Sequence, residues 1–257
     1  MHKNMLPLLQ KKYYQSALQH IAILVVVYFL LQIPLSCKKD SMNKPLIPLF
    51  DSIMDVDSNY YKIVKIGEQW WMAENLEVES YNDGTPIRNA TSDEFWKDTL
   101  AGYCLYKNDV TAPGLLYNWY AVNSSKKIAP AGWHIATEQD WQKLEIFLGM
   151  SYKDILKNGW RGSTEGSKLK VYGRRGWLTE VENWPTNESG FSALAGSCRK
   201  QNGIWGEPGL TITGFWWTAT EENSSKAYYR YLDCKSTKVF RHQDYKNCGL
   251  SVRCVKD

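Results

Sequence analysis

The sequence predicts an α+β fold, and three observations predict it. A β-hairpin pattern opens the globular part, one strongly capped helix lies mid-chain, and the last third reads as strands. Tyr61–Ile66 and Gln69–Met72 are β-prone runs across Gly67-Glu68, the spacing of a tight hairpin. Thr137 can cap a helix whose acids, Glu138 and Asp140, suit its positive end. Trp141, Leu144 and Leu148 follow at i, i+3 and i+7, and Gly149 closes the pattern. Leu115–Val122 reads as a second, weaker helix. Phe215–Ala219, Tyr228–Leu232, Lys238–His242 and Leu250–Val255 read as strands separated by Gly, Asn, Asp and Ser clusters. Between Gly149 and Gly214 the chain is rich in Gly and Trp with little period, which predicts a long functional or tightly packed loop region.

Residues 1–36 have the order of a lipoprotein signal peptide. A polar start bearing Lys3, Lys11 and Lys12 precedes the apolar run Ile21–Leu31, which ends at Gln32 and Pro34. That run is well short of the ~20 residues a helix needs to cross a bilayer. Leu35-Ser36-Cys37 then resembles a lipobox: a small residue before the cut, and a thiol at Cys37 to take the diacylglycerol. Several acyl chains on one residue anchor where one alone does not. Residues 37–50, with Pro45 and Pro48, read as a tether, and 51–257 as one domain. The expected location is the cell envelope, with the outer membrane favoured.

The formal charge of +4 comes largely from the leader. Residues 1–36 hold three lysines and no acid, which leaves 28 basic and 27 acidic residues in the remainder. No basic stripe survives to neutralise a run of phosphates, so nucleic acid is excluded as an expected partner.

The blocks of the mature chain have a recognisable wording. They include Gln69-Trp70-Trp71-Met72-Ala73-Glu74-Asn75-Leu76, Leu116-Tyr117-Asn118-Trp119-Tyr120-Ala121-Val122 and Gly132-Trp133-His134. Asn187-Glu188-Ser189-Gly190-Phe191, Trp216-Trp217-Thr218-Ala219-Thr220 and Ser251-Val252-Arg253-Cys254-Val255 follow in order. Together they resemble the Fibrobacter succinogenes major paralogous domain, a family of exported proteins, often lipoproteins, without an established activity. The wording is also similar to the C-type-lectin-like fold, including its formylglycine-generating branch. That likeness implies a small twisted antiparallel sheet with one or two helices and long loops. Ala129 and Ala136 stand where the family commonly has Cys and Pro, so a disulfide relying on the former is not expected.

Five cysteines follow Cys37: Cys104, Cys198, Cys234, Cys248 and Cys254. Export favours disulfides among them, with at least one left over and the pairing open. A redox or copper-dependent formylglycine-generating role needs two poised thiols, and Cys248 and Cys254 are the sequence neighbours to consider. His134 and His242 are too few for a typical zinc site, and His134 reads as a hydrogen-bonded core residue. No nucleophile-elbow, phosphate-loop or dinucleotide motif is present.

Twelve Trp dominate the composition. Trp70, Trp71, Trp119, Trp133, Trp141, Trp216 and Trp217 lie in patterned blocks and are expected in the core. Trp160, Trp177, Trp184 and Trp205 lie in the Gly-rich loops, where they either roof the small core or offer an aromatic face to stack on a sugar or anchor a protein. No cofactor is expected. Calcium stays open through Asp83, Asp109, Glu182, Glu188, Glu221, Glu222, Asn183, Asn187 and Asn223 as oxygen donors. The leading expectation is a lipid-anchored binding module for carbohydrate or an extracellular protein. A structural envelope lipoprotein is the alternative, and an exported hydrolase using paired carboxylates comes third.

Overall fold

In the computed structural model of the chain, residues 51–109, 112–171, 176–178, 185–206 and 209–257 are described. The predicted hairpin is present as β2 (Tyr60–Ile66) and β3 (Gln69–Met72). Gly67 at the first turn position has φ 61°, which glycine adopts without a Cβ clash. Strand β1 (Ser52–Met54) pairs on one side of β2. On the far side, β12 (Cys254–Lys256) inserts between β3 and β7 (Trp133–Ile135), giving the sheet order β1-β2-β3-β12-β7.

The C-terminal third forms a second, four-stranded antiparallel sheet. Its strands are β9 (Thr213–Glu221), β10 (Lys226–Asp233) and β11 (Val239–Tyr245), with β8 (Gly159–Arg161) on the outer edge of β11. A third sheet joins β4 (Arg88–Asn89), β5 (Gly102–Cys104) and β6 (Leu116–Tyr117), and its β4–β5 pair is parallel. The domain is thus α+β, with three sheets where one was expected.

Two expectations need correction. Leu115–Val122 is not one helix. Leu116 and Tyr117 form β6, and only α1 (Trp119–Val122) is helical, because the Asn118 side chain accepts from the Ala121 amide and starts the turn there. Leu250 and Ser251 make isolated bridges to Tyr117 and Trp216 instead of extending the last strand. The mid-chain helix is as read: α2 (Glu138–Phe147) begins with a capping box in which Thr137 and Asp140 satisfy each other's backbone amides. The period-poor region supplies β8 and a short α3 (Glu165–Leu169).

Each strand of the four-stranded sheet alternates its side chains between two faces. Trp216, Leu232 and Val239 point to a core shared with Trp71, Trp141 and Leu144. Trp217 and Ala227 point to the opposite core, with Trp119, Tyr117 and Leu250. Among the tryptophans expected inside, Trp71, Trp119, Trp133, Trp141, Trp216 and Trp217 are buried, while Trp70 packs half-buried against the core. Trp96 is also fully buried, in a third cluster with Cys104 and Tyr106. No described helix is long and apolar enough to cross a membrane.

Candidate functional site

Beneath the four-stranded sheet lies a group of buried charges. Glu145 on α2 accepts both ends of Arg161 at 2.8 Å and Nε of Arg230 at 2.7 Å. Glu138, two turns earlier, accepts from Arg230 and, at 2.7 Å, from Nε of Arg241. Arg241 continues to Asn158 Oδ1 at 2.7 Å. Burial raises the Glu138 carboxyl, but Arg230 and Arg241 outweigh it and hold it below its ordinary value. Three guanidinium groups and two carboxylates therefore rivet α2 to β8, β10 and β11. These carboxylates are fully engaged, so this is a clamp and not a pair free for acid–base work.

The other face of the same sheet carries a cross-strand aromatic patch. Trp160 on β8 lies opposite Phe240, Phe240 opposite Tyr231, and Tyr231 opposite Phe215, one row over all four strands. The Trp160 ring is 5.2 Å from both Phe240 and Tyr231, and Tyr231 stacks on Phe215 at 4.7 Å. Tyr229 and His242 form the next row, opposite each other. Toward Trp217 and Ala227 this face is covered by core. Toward Trp160 it opens: Trp160 is 42% exposed, while Phe215, Tyr231 and Phe240 are half-buried.

A polar hollow flanks the patch at each end. A shallow one of about 490 Å³ is lined by Trp160, Asp233, Lys235, Ser236 and Lys238. Its turn is pinned from below, where the buried Lys170 ammonium donates to the Asp233 and Ser236 carbonyls at 2.5 and 2.6 Å. Burial pushes Lys170 down to about 8. Gly166 on α3 allows this packing, since a Cβ there would sit 2.3 Å from the Lys238 carbonyl. Tyr231 donates its hydroxyl to Asp233 at 2.5 Å, joining patch and hollow.

The second hollow, of about 290 Å³, includes Phe215, Lys200, Gln201, Asn202 and Asp244. Its loop is organised by buried Arg199, which donates to the Ala90 and Gly203 carbonyls at 3.1 and 3.0 Å. The Arg199 guanidinium lies 5.1 Å from the Trp96 ring and 4.5 Å from that of Trp205.

The four loop tryptophans thus separate. Trp160 is the exposed platform. Trp177 is 1% exposed, with its indole N–H on the Ala193 carbonyl at 2.8 Å, so it is core and has no free face. Trp205 is half-buried against Arg199 and Tyr106. Trp184 lies outside the described residues, as does Cys37. The partners of Trp160 were missed in the sequence, although Tyr229 with Tyr231 and Phe215 with Trp217 show aromatic period-two spacing on a second face.

All five cysteines after Cys37 carry free thiols. Cys104, Cys234 and Cys254 belong to three separate core clusters, which keeps them from one another. Cys198 and Cys248 share the second hollow. Burial pushes the thiols up, Cys104 to about 11 and Cys198 to about 12, and raises Cys248 and Cys254 as well. Thiols so protonated are poor nucleophiles. The sequence neighbours Cys248 and Cys254 are not a poised pair, since Cys254 is fully buried in β12.

Among the described residues, no three His, Cys, Asp or Glu side chains converge on a metal-sized position. Of the oxygen donors considered for calcium, Asp83 bonds Thr85, Asn187 bonds Ser192, Glu221 bonds Lys246, and Glu222 bonds Asn223. Glu182 and Asn183 fall outside the described residues. His134 is hydrogen-bonded as expected but only half-buried, not in the core: its ring spans Asp257 at 2.7 Å and Asp140 at 3.0 Å. The hollow beside it holds about 220 Å³.

No curated protein and no solved structure matches the chain. The Fibrobacter succinogenes major domain model matches residues 64–256, from within β2 to the end of β12. That span takes in the charge clamp, the aromatic row and both hollows, and the chain belongs to the Fibrobacter succinogenes major domain family.

Proposed function

We propose that this protein is a lipid-anchored module of the cell envelope that binds carbohydrate on the open aromatic face. One observation carries the reading: Trp160 stands 42% exposed on a cluster of tilted and edge-on rings, while Trp71, Trp141, Trp177, Trp216 and Trp217 are inside. An apolar platform left in water is a contact surface more often than an accident. Sugars offer one face of C–H groups and a rim of hydroxyls. Rings flanked by Asp233, Ser236 and Lys238 suit both parts, because the rim finds donors and acceptors beside the stacking plane.

The address rests on the leader and on Cys37, which would hold the domain to a bilayer through acyl chains. A C-type-lectin-like architecture agrees with the sequence wording and with an α+β domain of several small sheets. The test is titration of intrinsic tryptophan fluorescence against a panel of soluble neutral and acidic glycans. The expected result is a saturable change with at least one glycan that is lost in Trp160→Ala. No change with any glycan, together with capture of a protein by the same face, would replace this reading with a protein-docking one.

A further inference from the structure

Resting on the carbohydrate reading, the geometry points to a ligand that is a sugar chain laid across the strands, not a single sugar. A monosaccharide site needs one platform and one convergent set of polar groups. Here the aromatic row continues from Trp160 through Phe240 and Tyr231 to Phe215, one ring per strand, in steps of 5.2, 5.6 and 4.7 Å. It joins two hollows that do not share a residue. Each step is close to the ~4.8 Å spacing of neighbouring strands, which is also about the advance of one sugar ring along an extended β-linked chain. A chain of about three or four units therefore seats its middle rings on the aromatic row, and its ends reach Lys238 at one hollow and Lys200 with Asn202 at the other.

The chemistry at the two ends favours a neutral chain. Asp233 and Lys238 stand in one hollow, Asp244 and Lys200 in the other, so each end offers charge of both signs. Hydroxyl groups can donate to the acid and accept from the ammonium at the same end, whereas a uniformly charged chain meets a like charge in both hollows. Both ends are also held in place, one by Lys170 under the turn and the other by Arg199 behind the loop. Preorganised ends limit the ordering cost of a long ligand.

The experiment is calorimetric titration of the full chain with linear β-linked glucose and N-acetylglucosamine oligomers of one to six units. Affinity should rise at least tenfold between one and four units and then level. The paired substitution Lys200→Ala with Asn202→Ala, both at exposed positions, should remove most of that rise and leave the weak binding of the shortest sugar intact. Equal affinity for one and four units, still dependent on Trp160, would overturn the chain inference while leaving carbohydrate binding standing. Absence of binding at every length in both series, with no response on the wider glycan panel, would remove the inference and the reading beneath it together.

Discussion

Arg230 and Tyr231 are adjacent in β10 and serve opposite faces of one sheet: Arg230 is buried between Glu138 and Glu145, and Tyr231 stacks on Phe215 in the open aromatic patch. The alternation of a strand makes this division possible. The clamp on one side fixes the strands whose other side carries the aromatic patch. The order of the patch therefore depends on charges on the far side of the sheet.

Glu145 is the centre of that clamp. Glu145→Ala leaves Arg161 and Arg230 facing each other without a shared acceptor, and breaking a buried pair in this way costs about 3–5 kcal/mol. Urea denaturation of the substituted protein should show a loss of that size. A loss below about 1 kcal/mol would mean the network is solvated and not a rivet.

Arg253 is a further buried cation, and among the described residues its hydrogen bonds go to an amide oxygen and backbone carbonyls. It donates to Asn75 Oδ1 at 2.7 Å, to the Met72 and Phe191 carbonyls at 2.8 Å and to the Ser192 carbonyl at 3.2 Å. Burial pushes it down to about 9. A planar fork is needed to reach these acceptors at once. Arg253→Lys should cost about 2–4 kcal/mol in thermal or urea unfolding, nearly as much as Arg253→Met. Wild-type stability in the lysine variant would contradict the assignment.

His134 links β7, α2 and the C-terminal Asp257. Burial lowers its imidazole, but hydrogen bonds to Asp257 and Asp140 outweigh that and raise it above 6.5. A group raised on folding contributes stability fully below its unfolded value of 6.5, and that contribution fades as pH rises through the folded value. Asp140 is held below its ordinary 3.8, so its share is lost only as the solution becomes strongly acidic. An NMR titration should place the His134 midpoint above 6.5, and His134→Gln should flatten the stability profile around neutrality. A midpoint below 6.5 would show that burial wins.

The hairpin at Gly67, the Thr137 cap and the strand-rich last third were legible because each is written in neighbouring residues. The partners of Trp160 were not, because Phe240 and Tyr231 lie far along the chain and only the register of β8 on β11 brings them together. The clamp left a faint trace: Glu138 and Glu145 share a helix face with Trp141, and Arg230 and Arg241 fall at inward strand positions. Charges on an apolar face read as exceptions until their opposite numbers are placed. Trp177 shows the converse. Its Gly-rich neighbourhood suggested a loop, yet its indole fills a core position.

The envelope address turns on one thiol. Cells fed a labelled fatty acid should incorporate it into the wild-type protein and not into Cys37→Ala, which should also leave the membrane fraction. Unchanged labelling and unchanged membrane association in the variant would remove lipid anchoring at this residue.

The most direct measurement of the binding claim is the indole N–H resonance of Trp160, followed by NMR while a soluble β-linked tetrasaccharide is added. The account predicts a saturable shift of Trp160, with the buried indoles of Trp177, Trp216 and Trp217 nearly still. A stationary Trp160 resonance while the largest shifts fall around His134 would contradict it.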